Sequence, residues 1–572
     1  MKFRELASYL KTLEATNSRN EITQILAELF KKSKVKEIDK IVYLLSGQLA
    51  PNYRGIVFNI AERLMLQVIS QAYNIKVEKA KIAYKGKGDL GNLSESLAKG
   101  KGKGLSVSEV YERMFEVAQE SGKGSQDRKI KKMAGLFSDI DPLSARFVAR
   151  IPVGRMRLGF SDMTILDALS VMVKGDKSAR KEIEAVFNVT VDIGKIAKRV
   201  KEKRLTGLKS VQPEPGIPIR PSLAERLPSA EKILEKVGDK VFVEPKYDGF
   251  RAQVHIFSGE GEKKVQIFSR NLENTTHMFP DLAEAAKKIK VQSAIFDGEA
   301  IGYDPKNQRF LPFQETVQRK RKHGVAEAVK KFPLKLFIFD ILYKNGKSLL
   351  GLPFSQRREM LEGTVTKIDS IIEITRQEVV GSAETIRDLI KKYLAEGLEG
   401  ALVKKIDAPY KAGARGYHWV KYKKTTEEGV ADTVDCLVMG TYKGRGRRVH
   451  FGAGAFLVGI KSGEKFKTVS KIGTGLTDEQ WREMNRRTQR LQISKIPEEY
   501  VVDKNLEPDT WVRPALVVEI LADEITKSPI HAAGLALRFP RLIRFRDEKD
   551  PNQTTSLAEL EKLYQMQKIL VK

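Results

Sequence analysis

Glu244-Pro-Lys-Tyr-Asp-Gly-Phe-Arg251 follows the apolar run Val241-Phe-Val243 and places Lys246 where a strand gives way to a turn. Asp248 and Gly249 turn the chain and let backbone approach a ligand closely. A lysine amine is a nucleophile only when neutral. Nearby cations such as Arg251, a bound metal and partial burial would all favour that form. Taken alone, Lys-Tyr-Asp-Gly is an ordinary strand-end lysine ahead of a turn, so the reading depends on what lies downstream.

Six further stretches follow in order. Ser269-Arg-Asn-Leu-Glu-Asn274 and Phe296-Asp-Gly-Glu-Ala300 each end a strand and present Arg270 and Glu299. Leu336-Phe-Ile-Phe-Asp340 reads as a buried strand containing Phe339. Glu396-Gly-Leu-Glu-Gly-Ala-Leu-Val-Lys404 adds Glu399 and Lys404. Residues 408–423 supply Arg415, Lys421 and Lys423; the last two are two apart on a strand and share a face. Arg538-Phe-Pro-Arg-Leu-Ile-Arg-Phe-Arg-Asp-Glu-Lys549 carries Arg544, Arg546 and Lys549.

The ordered set resembles the nucleotidyltransferase motifs of ATP-dependent DNA ligases of the archaeal and eukaryotic replicative type, along nearly the whole chain. That resemblance implies ATP as the nucleotide and Lys246 as the residue that becomes lysyl-AMP. Glu244 would accept a hydrogen bond from the adenine edge, Arg251 would touch ribose or phosphate, and Phe339 would stack on the base. Arg270, Arg415, Lys404, Lys421 and Lys423 would serve as nucleotide contacts, Arg270 later meeting the 5′-phosphate of a nick. Arg544, Arg546 and Lys549 would orient pyrophosphate. Glu299 and Glu399 suit Mg2+, with Mn2+ as a substitute, because magnesium takes one or two carboxylates plus phosphates and water. The reaction implied is sealing of 5′-phosphate/3′-hydroxyl nicks in duplex DNA during replication, repair and recombination. An RNA ligase or a capping guanylyltransferase shares the Lys-x-Asp-Gly core but not the long helical N-terminal region or the Arg-Phe-Pro-Arg stretch. A non-catalytic nucleic-acid clamp would be expected to lack Lys246 or the two glutamates.

Composition agrees. The 572 residues carry 102 Lys and Arg against 73 Asp and Glu, a net charge of +29. Such an excess suits a polyanion, since neutralising phosphates releases counterions. One cysteine, Cys436, excludes an intrachain disulfide and the four-cysteine zinc site of NAD-dependent ligases. No stretch approaches the ~20 apolar residues of a membrane span. The N-terminus, with Leu6, Leu10 and Leu13 at helical spacing, lacks a signal-peptide core. A cytoplasmic, nucleoid-associated monomer acting on nicked DNA is expected. A sliding clamp is a partner the resemblance suggests, although no Gln-led clamp-binding peptide stands out.

The organisation expected is multidomain: an all-α DNA-binding domain (1–215), an α+β adenylation domain (216–424) and a C-terminal β-barrel of the OB type (425–572). Ser18-Arg-Asn-Glu21 is a capping-box pattern, and helices are predicted over Val107 to Ala118 and Thr164 to Val173. Gly86 to Gly104 reads as an exposed loop. Arg155 and Arg157, before a Ser/Asp helix start, are candidate DNA contacts. Four prolines between Gln212 and Pro221 predict a stiff extended linker, and Thr425–Gly429 a hinge.

Overall fold

The structure is a computed structural model that describes residues 1–259, 261–321, 323–366, 368–423, 433–444 and 452–569. The hinge expected at 425–429 therefore lies outside the described residues. The chain divides into two compact units. One comprises Met1–Glu225, Lys240–Val379 and Lys404–Val420; the other comprises Arg226–Asp239, Val380–Val403 and Lys421–Lys572.

In the first unit, helices run from Phe3–Ala15 to Ile193–Lys203 around a core of their own, which includes Leu6, Phe30, Phe137 and Phe147. Ser18 heads the helix Arg19–Lys32 by accepting the Glu21 amide, while a full reciprocal box forms at Ser106 and Glu109 ahead of Val107–Gln119. The segment Thr164 to Val173 lies within the helix Asp162–Lys174.

The loop expected over Gly86 to Gly104 is corrected in its middle. Asp89 caps a helix, Leu90–Leu97, which buries Leu90 and Leu93. A Cβ on Gly91 would sit 2.5 Å from the Arg146 carbonyl, so only glycine lets this helix pack so closely. The linker is likewise not free-standing. Gly216 N–H donates to His255 Nδ1 (3.0 Å), and the Ile219 peptide exchanges two bonds with the Gln253 amide. Burial holds His255 neutral, pushing it down to about 3.

The same unit contains a largely antiparallel sheet. Its strands run in the order Glu262–Ser269, Phe250–Gly259, Ala294–Asp304, Leu334–Lys344 and Lys347–Ser348, with Ile372–Ile374 joining Leu334–Lys344 in parallel. Apolar runs such as Leu336 to Phe339 are what a strand covered on both faces requires. A separate core of Val254, Phe296, Leu336 and Ile338 fills the space beneath.

The second unit is strand-rich. Val434–Lys443 pairs with Ala453–Ser462, which pairs with Lys465–Ile472; on its other edge Val434–Lys443 meets Val517–Leu521, which pairs with Arg541–Phe545. These strands curve into a half-barrel over Val438, Phe456, Val518 and Trp481, the last supplied by the helix Asp478–Gln489.

Candidate functional site

Lys246 ends the strand Val241–Lys246, whose first five residues are buried while the lysine is half-buried. A Cβ on Gly249 would lie 2.1 Å from the Ala300 carbonyl oxygen. Glycine is therefore what brings Phe250–Gly259 against Ala294–Asp304 with Arg251 opposite Glu299. Burial lowers the Lys246 amine below its ordinary range and Arg270 lowers it further; Glu299 and Asp248 oppose them.

Arg251, expected to touch the nucleotide, is instead committed to the protein. Its guanidinium grips the fully buried Asp297 through Nε (2.8 Å) and Nη2, and donates to the Ser222 carbonyl (3.1 Å) and Tyr410 Oη (3.1 Å). Tyr410 Oη donates to Asp297 at 2.8 Å. A fork so fully engaged braces the site and has little left for a ribose. Glu299 beside it is half-buried, and burial with help from Asp297 and Asp248 pushes its carboxyl up to about 7, against the pull of Lys246 and Arg251.

Glu244 and Lys404 also differ from expectation. Both are essentially inaccessible, at 1% and 0% exposure, and form an ion pair of 2.5 Å. The ammonium stands 4.6 Å from the Phe339 ring, 4.5 Å from Phe354 and 4.6 Å from Trp419. Lys404 is thus enclosed by rings and paired with the Glu244 carboxylate, with buried Asp340 also acting on it, rather than presented to a phosphate. Phe339 is buried, edge-on to Trp419, with the Arg251 guanidinium 5.4 Å from its centroid. Beside this cluster Arg357 and Asp340, both buried, pair through two bonds of 2.8 and 3.0 Å.

Arg270 is exposed and borders a cavity of about 540 Å³ whose walls also hold Tyr53, Phe187, Arg220 and Gly413. Arg415 is exposed on the strand Arg415–Lys423. Arg155 pairs with Glu62, and Arg157 with Asp89 (3.2 Å) and the Gly88 carbonyl (3.2 Å). These guanidinium groups, expected to converge on a phosphate, face carboxylates here. Both guanidinium groups remain about half exposed; the Arg155–Glu62 pair is a surface one contributing only ~0–1 kcal/mol, so its exchange for a phosphate costs little, whereas the partner of Arg157, Asp89, is buried.

In the second unit Glu399 pairs with Lys423, and Lys421 is half-buried on the same strand. Arg544 bonds Glu519 (2.6 Å), Arg546 bonds Asp435 (3.1 Å) and Glu548 (2.6 Å), and Lys549 bonds Asp435 (2.6 Å). A pyrophosphate-orienting role requires each to exchange a carboxylate for a phosphate. Among the described residues no group of three or more His, Cys, Asp or Glu side chains is placed to hold a metal ion.

Sequence reading passed over Asp297, Tyr410, Trp419 and the segment Thr375-Arg-Gln377. Thr375 Oγ1 donates to Tyr247 Oη (3.5 Å) and Gln377 Nε2 to Glu244 Oε1 (2.8 Å). Trp419 and Tyr410 lay within a quoted motif, but nothing in the spacing singled them out. The Thr375 segment carries no motif at all.

Because the Lys246 amine acts when neutral and its pKa is lowered, attack by it should quicken with rising pH and level off below the ordinary lysine value. Arg270→Ala removes one lowering influence and should move that profile to higher pH. Rates of covalent nucleotide capture across pH at saturating nucleotide check this; an unmoved profile removes Arg270 from the role.

The chain matches the families described as "DNA ligase N terminus" over residues 2–170, "ATP dependent DNA ligase domain" over 221–423 and "ATP dependent DNA ligase C terminal region" over 436–549. It is 43% identical to a "Probable DNA ligase" of Dictyoglomus turgidum across 99% of this chain and 98% of that protein. It is 38% identical to a "DNA ligase" of Saccharolobus solfataricus across 99% and 98%. Among solved structures, "Pmar-Lig_PreS3" overlays 95% of this chain and 99% of its own at a TM-score of 0.56, with 18% identity, a likeness of fold.

Proposed function

The chain belongs to the ATP-dependent DNA ligase family, enzymes that use ATP to form phosphodiester bonds at nicks in DNA through an adenylate intermediate, and from that premise we propose that Lys246 is the residue adenylated. The observation that carries this is the environment of its amine: half-buried, lowered by burial and by Arg270, at the end of a strand with Glu299 nearby. Lys246 Nζ attacks the α-phosphorus of ATP, a P–N bond forms, and the α–β P–O bond breaks as pyrophosphate leaves with the electron pair. AMP then passes to the 5′-phosphate of the nick, and attack by the 3′-hydroxyl expels it. Each step calls for in-line placement and charge neutralisation.

Arg270 serves the phosphates, Arg415, Lys421 and Lys423 add nucleotide contacts, and Arg544, Arg546 and Lys549 orient pyrophosphate after exchanging their carboxylate partners. Glu299 fits a divalent cation: a carboxyl held near 7 by burial and two neighbouring acids is one that Mg2+, or Mn2+ in its place, would ionise. With Glu399 as a second ligand, the ion would supply charge neutralisation at the phosphates. Arg251 and Lys404 brace the site from behind.

The proposed boundaries remain 1–215 for a DNA-binding domain, 216–424 for the adenylation domain and 425–572 for a domain of the OB type. The separate helical and sheet cores and the half-barrel support them. Arg155 and Arg157 are DNA contacts within the first. The enzyme acts as a cytoplasmic monomer with nicked duplex DNA as its partner, and a sliding clamp as a further one; no helix among the described residues is long and apolar enough to cross a membrane.

Incubation with Mg2+ and α-³²P-labelled ATP, GTP or NAD⁺, followed by denaturing electrophoresis, tests the reading. The expected result is an acid-labile adduct from ATP that nicked DNA discharges as the strand is sealed. Label from GTP alone, or an adduct that nicked DNA leaves in place, overturns it.

A further inference from the structure

Lys246 and Glu299 act on each other electrostatically, yet their strands belong to different sheets: Val241–Lys246 to one, Ala294–Asp304 to the other. Ladder hydrogen bonds fix strands within a sheet and leave the spacing between sheets to side chains. Tyr247, the residue after Lys246, reaches from one sheet to the other. Its ring lies flat on Phe337, with 4.1 Å between centroids and 7° between planes. Phe337 is the direct antiparallel partner of Glu299, so those two side chains share a face. Phe310 stands edge-on to both rings at 5.8 Å, and Tyr303 edge-on to Phe310 at 5.7 Å. Tyr247 and Phe337 are each 6% exposed.

We propose that Tyr247 is a positioning residue for nucleotide capture, its ring stack on Phe337 setting where the Lys246 amine stands relative to Glu299. The inference rests on the reading of Lys246 as the adenylated residue.

A lysine side chain is long and freely jointed, so its amine is placed only as well as the main chain at its base. Beyond Lys246 the ladder no longer holds that main chain, and the next fixed point is Gly249 against the Ala300 carbonyl. Between them Tyr247 carries the one large buried side chain. A stacked ring pair is directional as well as apolar and contributes ~0.5–1.5 kcal/mol beyond the area it buries. Because Phe337 faces the same way as Glu299, the stack ties the lysine's main chain to the strand of the carboxylate. A displacement of about 1 Å at a reacting group can cost roughly a hundredfold in rate. Thr375 and Arg376 act on the Tyr247 hydroxyl, not on the stack, which a phenylalanine would keep.

The test compares the parent protein with Tyr247→Leu and Tyr247→Phe in two measurements. One is the single-turnover rate of adduct formation from saturating α-³²P-labelled ATP. The other is calorimetric affinity for α,β-methylene-ATP, which cannot release pyrophosphate. Leucine supplies apolar volume without a plane to stack. In that variant the rate should fall roughly a hundredfold, while affinity stays within about threefold because the nucleotide's own contacts are untouched. Tyr247→Phe should restore the rate to within about threefold of the parent. A leucine variant as fast as the parent, a loss of affinity that matches the loss of rate, or a phenylalanine variant as slow as the leucine one overturns the proposal. Should Tyr247→Leu fail to fold, Phe310→Leu loosens the stack from its half-buried edge. The rate should then fall several-fold with affinity kept, and an unchanged rate overturns the proposal. A parent that forms no adduct, or forms it on a residue other than Lys246 by peptide mapping, rejects the reading of the site instead, and the inference with it.

Discussion

Lys246→Ala should abolish the covalent nucleotide adduct, a loss of more than about a thousandfold, the order seen when a covalent nucleophile is removed. Lys246→Arg should fail equally. It keeps a positive charge at the strand end, but a guanidinium stays protonated and offers no lone pair. That pairing separates nucleophilic chemistry from simple attraction for phosphate. Sealing of a nick that already carries AMP should survive in both variants to a much greater degree, because the bond to Lys246 is neither made nor broken in that step. Adduct formation followed on denaturing gels, beside single-turnover sealing of pre-adenylated DNA, reads both. An adduct on the alanine variant would remove Lys246 from its role; equal loss in the two assays would point to a collapsed site.

The second large effect is on stability. Glu244→Ala leaves the Lys404 ammonium fully buried among the rings of Phe339, Phe354 and Trp419, with the more weakly acting Asp340, already paired to Arg357, as the remaining carboxylate. Burial already lowers the Lys404 pKa, and Glu244 is the largest influence opposing it. Breaking a buried pair from one side costs about 3–5 kcal/mol, whereas replacing both members by apolar groups of similar size is often neutral. Glu244→Ala should therefore lower the denaturation midpoint substantially. Glu244→Leu with Lys404→Met should recover most of the loss. The near-ultraviolet dichroism of Trp419, which lies edge-on to Phe339, reports the transition locally. A single-variant cost below about 1 kcal/mol would mean that the pair behaves as a surface ion pair.

Much of the fold was legible because it follows from local pattern. The Ser18–Glu21 pattern announces a helix start because its hydroxyl can accept a free N–H there, and the apolar run at Leu336 to Phe339 reads as a strand. The loop reading of Gly86 to Gly104 failed where composition outweighed pattern. Glycines and lysines surround a helix whose stability comes from Asp89 at its cap and from two leucines buried against other helices. Lys246 was legible from its motif, and its lowered pKa follows from the burial expected of it. The cation beside it was misassigned: Arg251 is nearer in sequence, yet Asp297 takes its guanidinium and Arg270, just past the end of the strand Glu262–Ser269, acts on the lysine.

The linear order of residues by itself determined the family, the basic character and the succession from a helical region to a sheet to a strand-rich C-terminal region. Each is carried by residue type and short-range spacing, which survive without knowledge of what lies opposite. Tertiary structure alone decided which charges face one another. Glu244 with Lys404 and Gln377, Arg357 with Asp340, and Arg251 with Asp297 join residues 17 to 160 positions apart. The energy of a charge depends on its distance from the next charge and on the water between them, and neither quantity is written in the order of the chain.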